Sequence, residues 1–162
     1  RRSVSQGSEQ ARLDEVLELV DEKKGIDVVV LDSREYTSLS VLCQQMVILT
    51  CTSRRHMGVM ADNITDHYKL AGMLVEKEDD SGKLVQMPPN VEGRESDRWM
   101  LVDLGEIIVH IFSQEGRDYY KLEDHWKDME AAKRKGMTLE DYLRSEGRHD
   151  QIAQPPPGYE GS

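Results

Sequence analysis

The chain has 162 residues, 32% of them charged, and a formal net charge of −10, which fits one domain large enough to bury a core. Its mean hydropathy is −0.64, and no apolar stretch approaches the roughly 20 residues that a membrane-spanning helix requires, so no membrane partner is expected. The acidic balance disfavours broad electrostatic binding to nucleic acid, which needs a basic stripe, and favours a basic protein partner.

In chain order, a first helix is predicted over residues 9–24. Leu13, Val16, Leu17 and Val20 repeat on one face, Ser8 is the candidate cap, and Lys23-Lys24-Gly25 suits the stop. Two continuous apolar runs follow, residues 26–31 and 45–51, each with the pattern of a strand buried on both faces. Residues 53–71 read as a second helix with Thr52 or Ser53 as cap and Gly72 as stop. Its apolar stripe is Met57, Met60, Ala61, Ile64 and Tyr68. Residues 73–77 suit a short strand, and the acidic, turn-rich stretch to Pro88-Pro89-Asn90 reads as a surface excursion over 76–90. A β-hairpin is predicted over 99–112 with its turn near Gly105. Ser113 caps a helix expected to run to about Arg134, and Thr138-Leu139-Glu140-Asp141 opens a further short one. The tail from Gln154, with three prolines, is expected to be extended or disordered. These elements predict an α/β fold, a single mixed sheet flanked by helices.

Cys43 and Cys51 have neither zinc nor redox spacing, which suits a reducing compartment. The chain opens on Arg1-Arg2-Ser3 rather than Met, which fits a processed precursor or a sequence that starts partway along.

Five stretches in order carry a resemblance. They are Gly25-Ile26-Asp27-Val28-Val29-Val30-Leu31-Asp32; the strand-to-helix turn from Met46 to His56; Ala61-Asp62-Asn63-Ile64; the approach Val91-Glu92-Gly93 to Trp99; and the hairpin followed by Tyr119, Tyr120, Leu122 and Trp126. Together they resemble the Iojap, or ribosomal silencing factor, family over roughly residues 10–126. The resemblance implies a nucleotidyltransferase-like fold without catalytic residues, no cofactor and no metal. It implies a non-catalytic factor that docks on the large ribosomal subunit through the universal large-subunit protein fourteen and blocks subunit joining. In organelles it also implies a role on assembly intermediates, accompanied by a small LYR-motif protein and an acyl carrier protein. Cys51 stands where the family has Gly, and residues 35–45 and 76–90 are longer than the bacterial-looking pattern. Residues 127–162 extend beyond it, as a helical extension with a Pro-rich tail. These departures suit a mitochondrial member, in the matrix, with another organelle or a bacterial cytoplasm as alternatives.

Basic ribosomal proteins would be steered by an acidic face, while affinity would rest on a few buried anchors. The candidate anchor is Trp99 with Met100 beside it, ringed by Glu92, Glu95 and Asp97; core packing is the competing reading of Trp99. Ser53-Arg54-Arg55 opens a helix, where backbone N–H groups and positive charge suit a minor ribosomal RNA contact.

An alternative function is a degenerate enzyme acting on nucleotide or RNA ends. Nucleotidyl transfer needs carboxylates converging on two metal ions after a Gly-Ser turn. Glu95-Ser96-Asp97 and Glu76-Lys77-Glu78 lack that turn, and Asp27 and Asp32 would face opposite sides of one strand. Asp103 and His110 sit on facing strands, within expected hydrogen-bonding reach. Cys51 lacks the Arg of a phosphatase loop and reads as a buried structural thiol.

Overall fold

A computed structural model of the chain describes residues 6–151. The order is α1 (Gln6–Glu22), β1 (Ile26–Asp32), a 3-10 turn (Thr37–Val41), β2 (Gln45–Cys51), α2 (Arg54–Leu70), β3 (Val75–Glu78), β4 (Leu84–Met87), β5 (Asn90–Glu92), β6 (Trp99–Asp103), β7 (Ile107–Ser113), α3 (Gln114–Tyr120), α4 (Leu122–Arg134) and α5 (Leu139–Ser145). The main sheet is mixed, in the order β1-β2-β7-β6-β5, and β3 and β4 form a separate two-stranded ribbon. Among the described residues only the β2–β7 pair is parallel.

Alternation along the central strands builds two cores. Val47, Leu49 and Cys51 on β2, with Val109 and Ile111 on β7, face α1 and α2. Met46 and Ile48, with Ile108 and Phe112, face the 3-10 turn and α4, which contributes Leu122 and Trp126. Every residue of β2 is buried, as its unbroken apolar run predicts. The α2 stripe Met57, Met60, Ala61, Ile64 and Tyr68 is buried as predicted. Ser53 is its cap, its hydroxyl accepting from the His56 amide at 3.0 Å, and Gly72 at φ +68° follows its end.

Several elements differ from the prediction. β1 lies at a sheet edge, so Ile26, Val28 and Val30 are 42%, 40% and 37% exposed rather than buried on both faces. A bulge between Ile26 and Val29, with Asp27 at φ +50°, breaks its register. α1 begins before Ser8, so that residue lies inside the helix instead of capping it. The stretch 76–90 is the β3–β4 ribbon and the start of β5, which pairs with β6. The helix predicted from Ser113 to Arg134 is two helices, broken where Lys121 takes the left-handed conformation at φ +48°.

The boundary expected at residue 126 falls inside α4. Beyond it, Glu130 is buried and accepts from the Thr37 amide at 3.0 Å. Arg148 forks onto Asp128 at 2.9 and 2.7 Å. Glu130 thus ties α4 to the turn after β1, and Arg148 ties the segment after α5 back to α4. The proline-rich tail lies outside the described residues.

Candidate docking face

The alternation of β6 decides what its residues can do. Trp99, Leu101 and Asp103 are half-buried on one face, while Met100 and Val102 are buried on the other. Met100, at 3% exposure inside the α1–α2 core, supports the strand from behind and offers no surface to a partner. That corrects its expected place beside Trp99.

Trp99 is built into an aromatic layer. Opposite it in register is Phe112, at 5.7 Å between ring centroids, with His110 at 5.6 Å and Tyr120 at 5.3 Å. The indole Nε1–H donates to His110 Nδ1 at 2.9 Å. Because Nδ1 accepts, the neutral ring carries its proton on Nε2. Complete burial pushes the His110 pKa down to about 3, so the ring stays neutral and remains an acceptor at physiological pH. His110 does not meet Asp103 as the sequence suggests. Its register partner is Leu101, and Asp103 Oδ1 instead accepts from the Gly105 amide in the turn, at 2.8 Å.

The loop before Trp99 is held by close backbone approaches. Gly93 has φ +79°, and a Cβ there would lie 2.6 Å from the Trp99 carbonyl oxygen. Ser96 Oγ accepts from the Arg98 and Trp99 amides at 3.1 and 3.2 Å. A Cβ on Gly116, at the start of α3, would lie 2.3 Å from the Arg98 carbonyl oxygen. Glu95 and Asp97 project from this loop, and Glu92 stands opposite Leu101 on β5; all three are exposed. Among the described residues none of the three is in an ion pair. The nearby cations are neutralised by others, Arg94 by Asp62 and Arg98 by Glu115, each at 2.8 Å. A half-open indole therefore sits within an uncompensated acidic rim. Beside it Tyr119, which is 70% exposed, stacks edge-on against Tyr120 and lies under Arg98. The sequence names the tyrosines but gives no sign that they extend the patch.

Arg54 and Arg55 are exposed at the start of α2, at the same end of the sheet as Trp99. Ser53 Oγ is occupied by its capping bond. His56 Nδ1 accepts from the Thr52 amide at 2.9 Å, and Nε2–H then donates to the Lys23 carbonyl at 2.6 Å.

The carboxylates weighed as catalytic do not converge. Arg34 holds Asp32 at a pKa of about 2, Asp27 is exposed at the bulge, and Glu95 and Asp97 point into solvent. Among the described residues no group of three or more His, Cys, Asp and Glu is placed to hold a metal ion. Cys51 is buried, which pushes its thiol pKa up to about 12 and keeps it un-ionised.

A family model described as ribosomal silencing factor during starvation matches residues 6–156. The chain is 35% identical to the ribosomal silencing factor RsfS of Haemophilus influenzae over 111 residues, which are 68% of this chain and 93% of that protein. It is 32% identical over 80 residues to the mouse protein named mitochondrial assembly of ribosomal large subunit protein 1, covering 49% of this chain and 31% of that one. The fold is similar to a crystal structure of a Chromobacterium violaceum protein, with a TM-score of 0.58 and 30% identity, over 73% of this chain and 85% of that one.

Proposed function

Because the chain belongs to the ribosomal silencing factor family, whose function is ribosome-associated, we propose that it docks on the large ribosomal subunit and blocks joining of the small one. The observation that carries this reading is Trp99, a half-open indole fixed in an aromatic layer and bordered by Glu92, Glu95 and Asp97. Large aromatic side chains at the centre of a patch dominate binding energy, and surrounding charge sets approach and register. A basic ribosomal protein fits the acidic rim, and the universal large-subunit protein fourteen is the partner the family resemblance supplies. Arg54 and Arg55 add a minor contact to ribosomal RNA phosphates at the same end of the sheet. The relatives named as silencing factors are not named as enzymes, and a non-catalytic action by occlusion accords with the dispersed carboxylates.

The bacterial relatives match more of the chain than the mouse protein does. That supports a ribosome of bacterial type in a bacterial cytoplasm over the mitochondrial matrix. In a mitochondrial setting the proposal extends to assembly intermediates and to a LYR-motif protein with an acyl carrier protein, for which the exposed sides of α4 and α5 are open.

Co-sedimentation with purified large subunits, with and without small subunits, tests the reading. Stoichiometric binding that keeps the small subunit off, weakened by Trp99→Ala in a folded protein, is the expected result. Binding that leaves joining intact would replace occlusion with an assembly role, and absence of binding would end the docking proposal.

A further inference from the structure

We propose that a cavity at the turn end of the β6–β7 hairpin is a second recognition site, which takes the guanidinium side chain of an arginine presented by a basic protein partner. The cavity has a volume of about 470 Å³ and lies between α1, the end of α2, the β3–β4 ribbon and the β6–β7 turn. Its polar lining brings together Arg12, Tyr68, Glu76, Asp103 and Glu106, three carboxylates against one guanidinium. Arg12 and Glu106 satisfy each other at 2.5 Å. Asp103 spends Oδ1 on the Gly105 amide, and its Oδ2 makes no hydrogen bond among the described residues. Glu76 is exposed and forms no ion pair among the described residues. The uncompensated charge of the lining is therefore negative and belongs to Glu76 and Asp103.

Tyr68 adds a neutral oxygen acceptor to the lining. The residue is only 4% exposed, it lines the cavity, and its hydroxyl makes no hydrogen bond among the described residues. The hydroxyl is not sealed in the core: it opens onto the cavity, where water can reach it. Its oxygen can accept from a ligand N–H group in place of water. Burial, and then the nearby Glu15 carboxylate, push the Tyr68 pKa up to about 12, so the phenol stays neutral.

Leu42, Val75 and Ile107 give the cavity apolar walls, and half-exposed Leu74 is part of its lining. Such walls suit the methylene stem of a long cationic side chain. Of the natural cations, arginine matches best, because its planar fork of five donors can meet two carboxylates and a phenol oxygen at once. The site is separate from the Trp99 face. Asp103 lies on the same side of β6 but four residues further along, about 13 Å away at the rise of an extended strand. One basic chain could therefore engage both, yet the arginine site does not depend on the ribosome reading.

The test is an amide-resolved NMR titration of the chain with N-acetyl-arginine amide, using N-acetyl-norleucine amide as the neutral control. Saturable shifts at Leu74, Val75, Gly105 and Glu106, with a dissociation constant in the millimolar range, are expected from the arginine compound alone. Asp103→Asn keeps the Oδ1 acceptor for Gly105 and removes the charge; with Glu76→Gln it should weaken binding at least fivefold. Tyr68→Phe, which removes only the hydroxyl, should weaken it about twofold to threefold. Equal shifts from the norleucine compound would overturn the proposal, as would no saturation by 20 mM or affinity unchanged in Asp103→Asn and Glu76→Gln. Because no ribosome is present, failure here leaves the docking reading standing, and failure of docking leaves this site standing.

Discussion

Trp99 and Trp126 belong to one apolar cluster on one face of the sheet, yet they meet solvent differently. Trp126 is brought in by α4, is 1% exposed and closes the core over β1, β2 and β7. Trp99 sits on β6, the next strand after β7, where the same aromatic layer runs out half-open. The difference shows how one packed face can do two jobs. The roofed half supplies rigidity, and the unroofed half presents an anchor whose orientation that rigidity fixes. If the two halves do different jobs, the two tryptophans must respond differently to substitution. Trp126→Ala should cost about 3–5 kcal/mol of unfolding free energy by urea denaturation, the usual range for removing a large buried aromatic. Ending the chain after residue 126 keeps that indole but leaves only five residues of α4 to hold it and removes the Glu130 bond to Thr37, so it should be at least as damaging. Trp99→Ala should cost less than half as much in stability. Its large effect should be on large-subunit binding, where a central aromatic anchor is worth about 2 kcal/mol or more, roughly thirtyfold in affinity.

His110 joins the two halves, and its titration links their packing to pH. An unfolded imidazole has a pKa near 6.5, whereas burial holds the folded His110 at about 3. Between those values the unfolded chain binds a proton that the native chain does not, so stability rises with pH across that window and falls as pH drops through 6.5. Going from pH 7 to pH 5 should therefore remove about 2 kcal/mol. His110→Asn, which keeps an acceptor near the indole but does not titrate there, should flatten that part of the urea-midpoint profile. His125, whose pKa burial also lowers, contributes in the same direction to both proteins and cancels in the difference. An unchanged slope in the variant would mean that His110 is not the group held neutral.

The central framework was legible in the sequence because its signals are local. The run 45–51, the α2 stripe with its Ser53 cap, and the β6–β7 hairpin each carry their own periodicity and stop residues. What stayed hidden depends on neighbours distant in the chain. Nothing within residues 26–31 says that β1 is an edge, and a lysine at residue 121 gives no warning of a left-handed break that glycine would announce. The strands β4 and β5 are only four and three residues long, too short to show alternation, and the apolar residues of β4 are not buried. Period two alone puts Trp99 and Met100 on opposite faces, but which face lies open follows from where α4 ends its cover. The Trp99–His110 bond was within reach, since the turn at residues 104–107 sets Trp99 opposite Phe112 and so beside His110. Pairing Asp103 with His110 slipped that register by two.

The smallest predicted effect separates the anchor from its rim. Glu92, Glu95 and Asp97 are exposed and form no ion pair among the described residues, so replacing them with Gln, Gln and Asn should leave folding almost unchanged. Their role in docking is to attract a basic surface through water, where each charge is screened within about 8 Å at physiological ionic strength. Loss of all three should therefore slow association by about threefold to tenfold at low salt, with dissociation nearly unaffected. The deficit should shrink as salt is raised, because added ions remove the same attraction from the parent protein. Trp99→Ala should show the opposite signature, faster dissociation that salt does not rescue. Stopped-flow association with large subunits at 50 and 300 mM salt measures both. A salt-independent loss in the triple variant would mean that the carboxylates make direct buried contacts, and the acidic rim would then belong to the anchor itself.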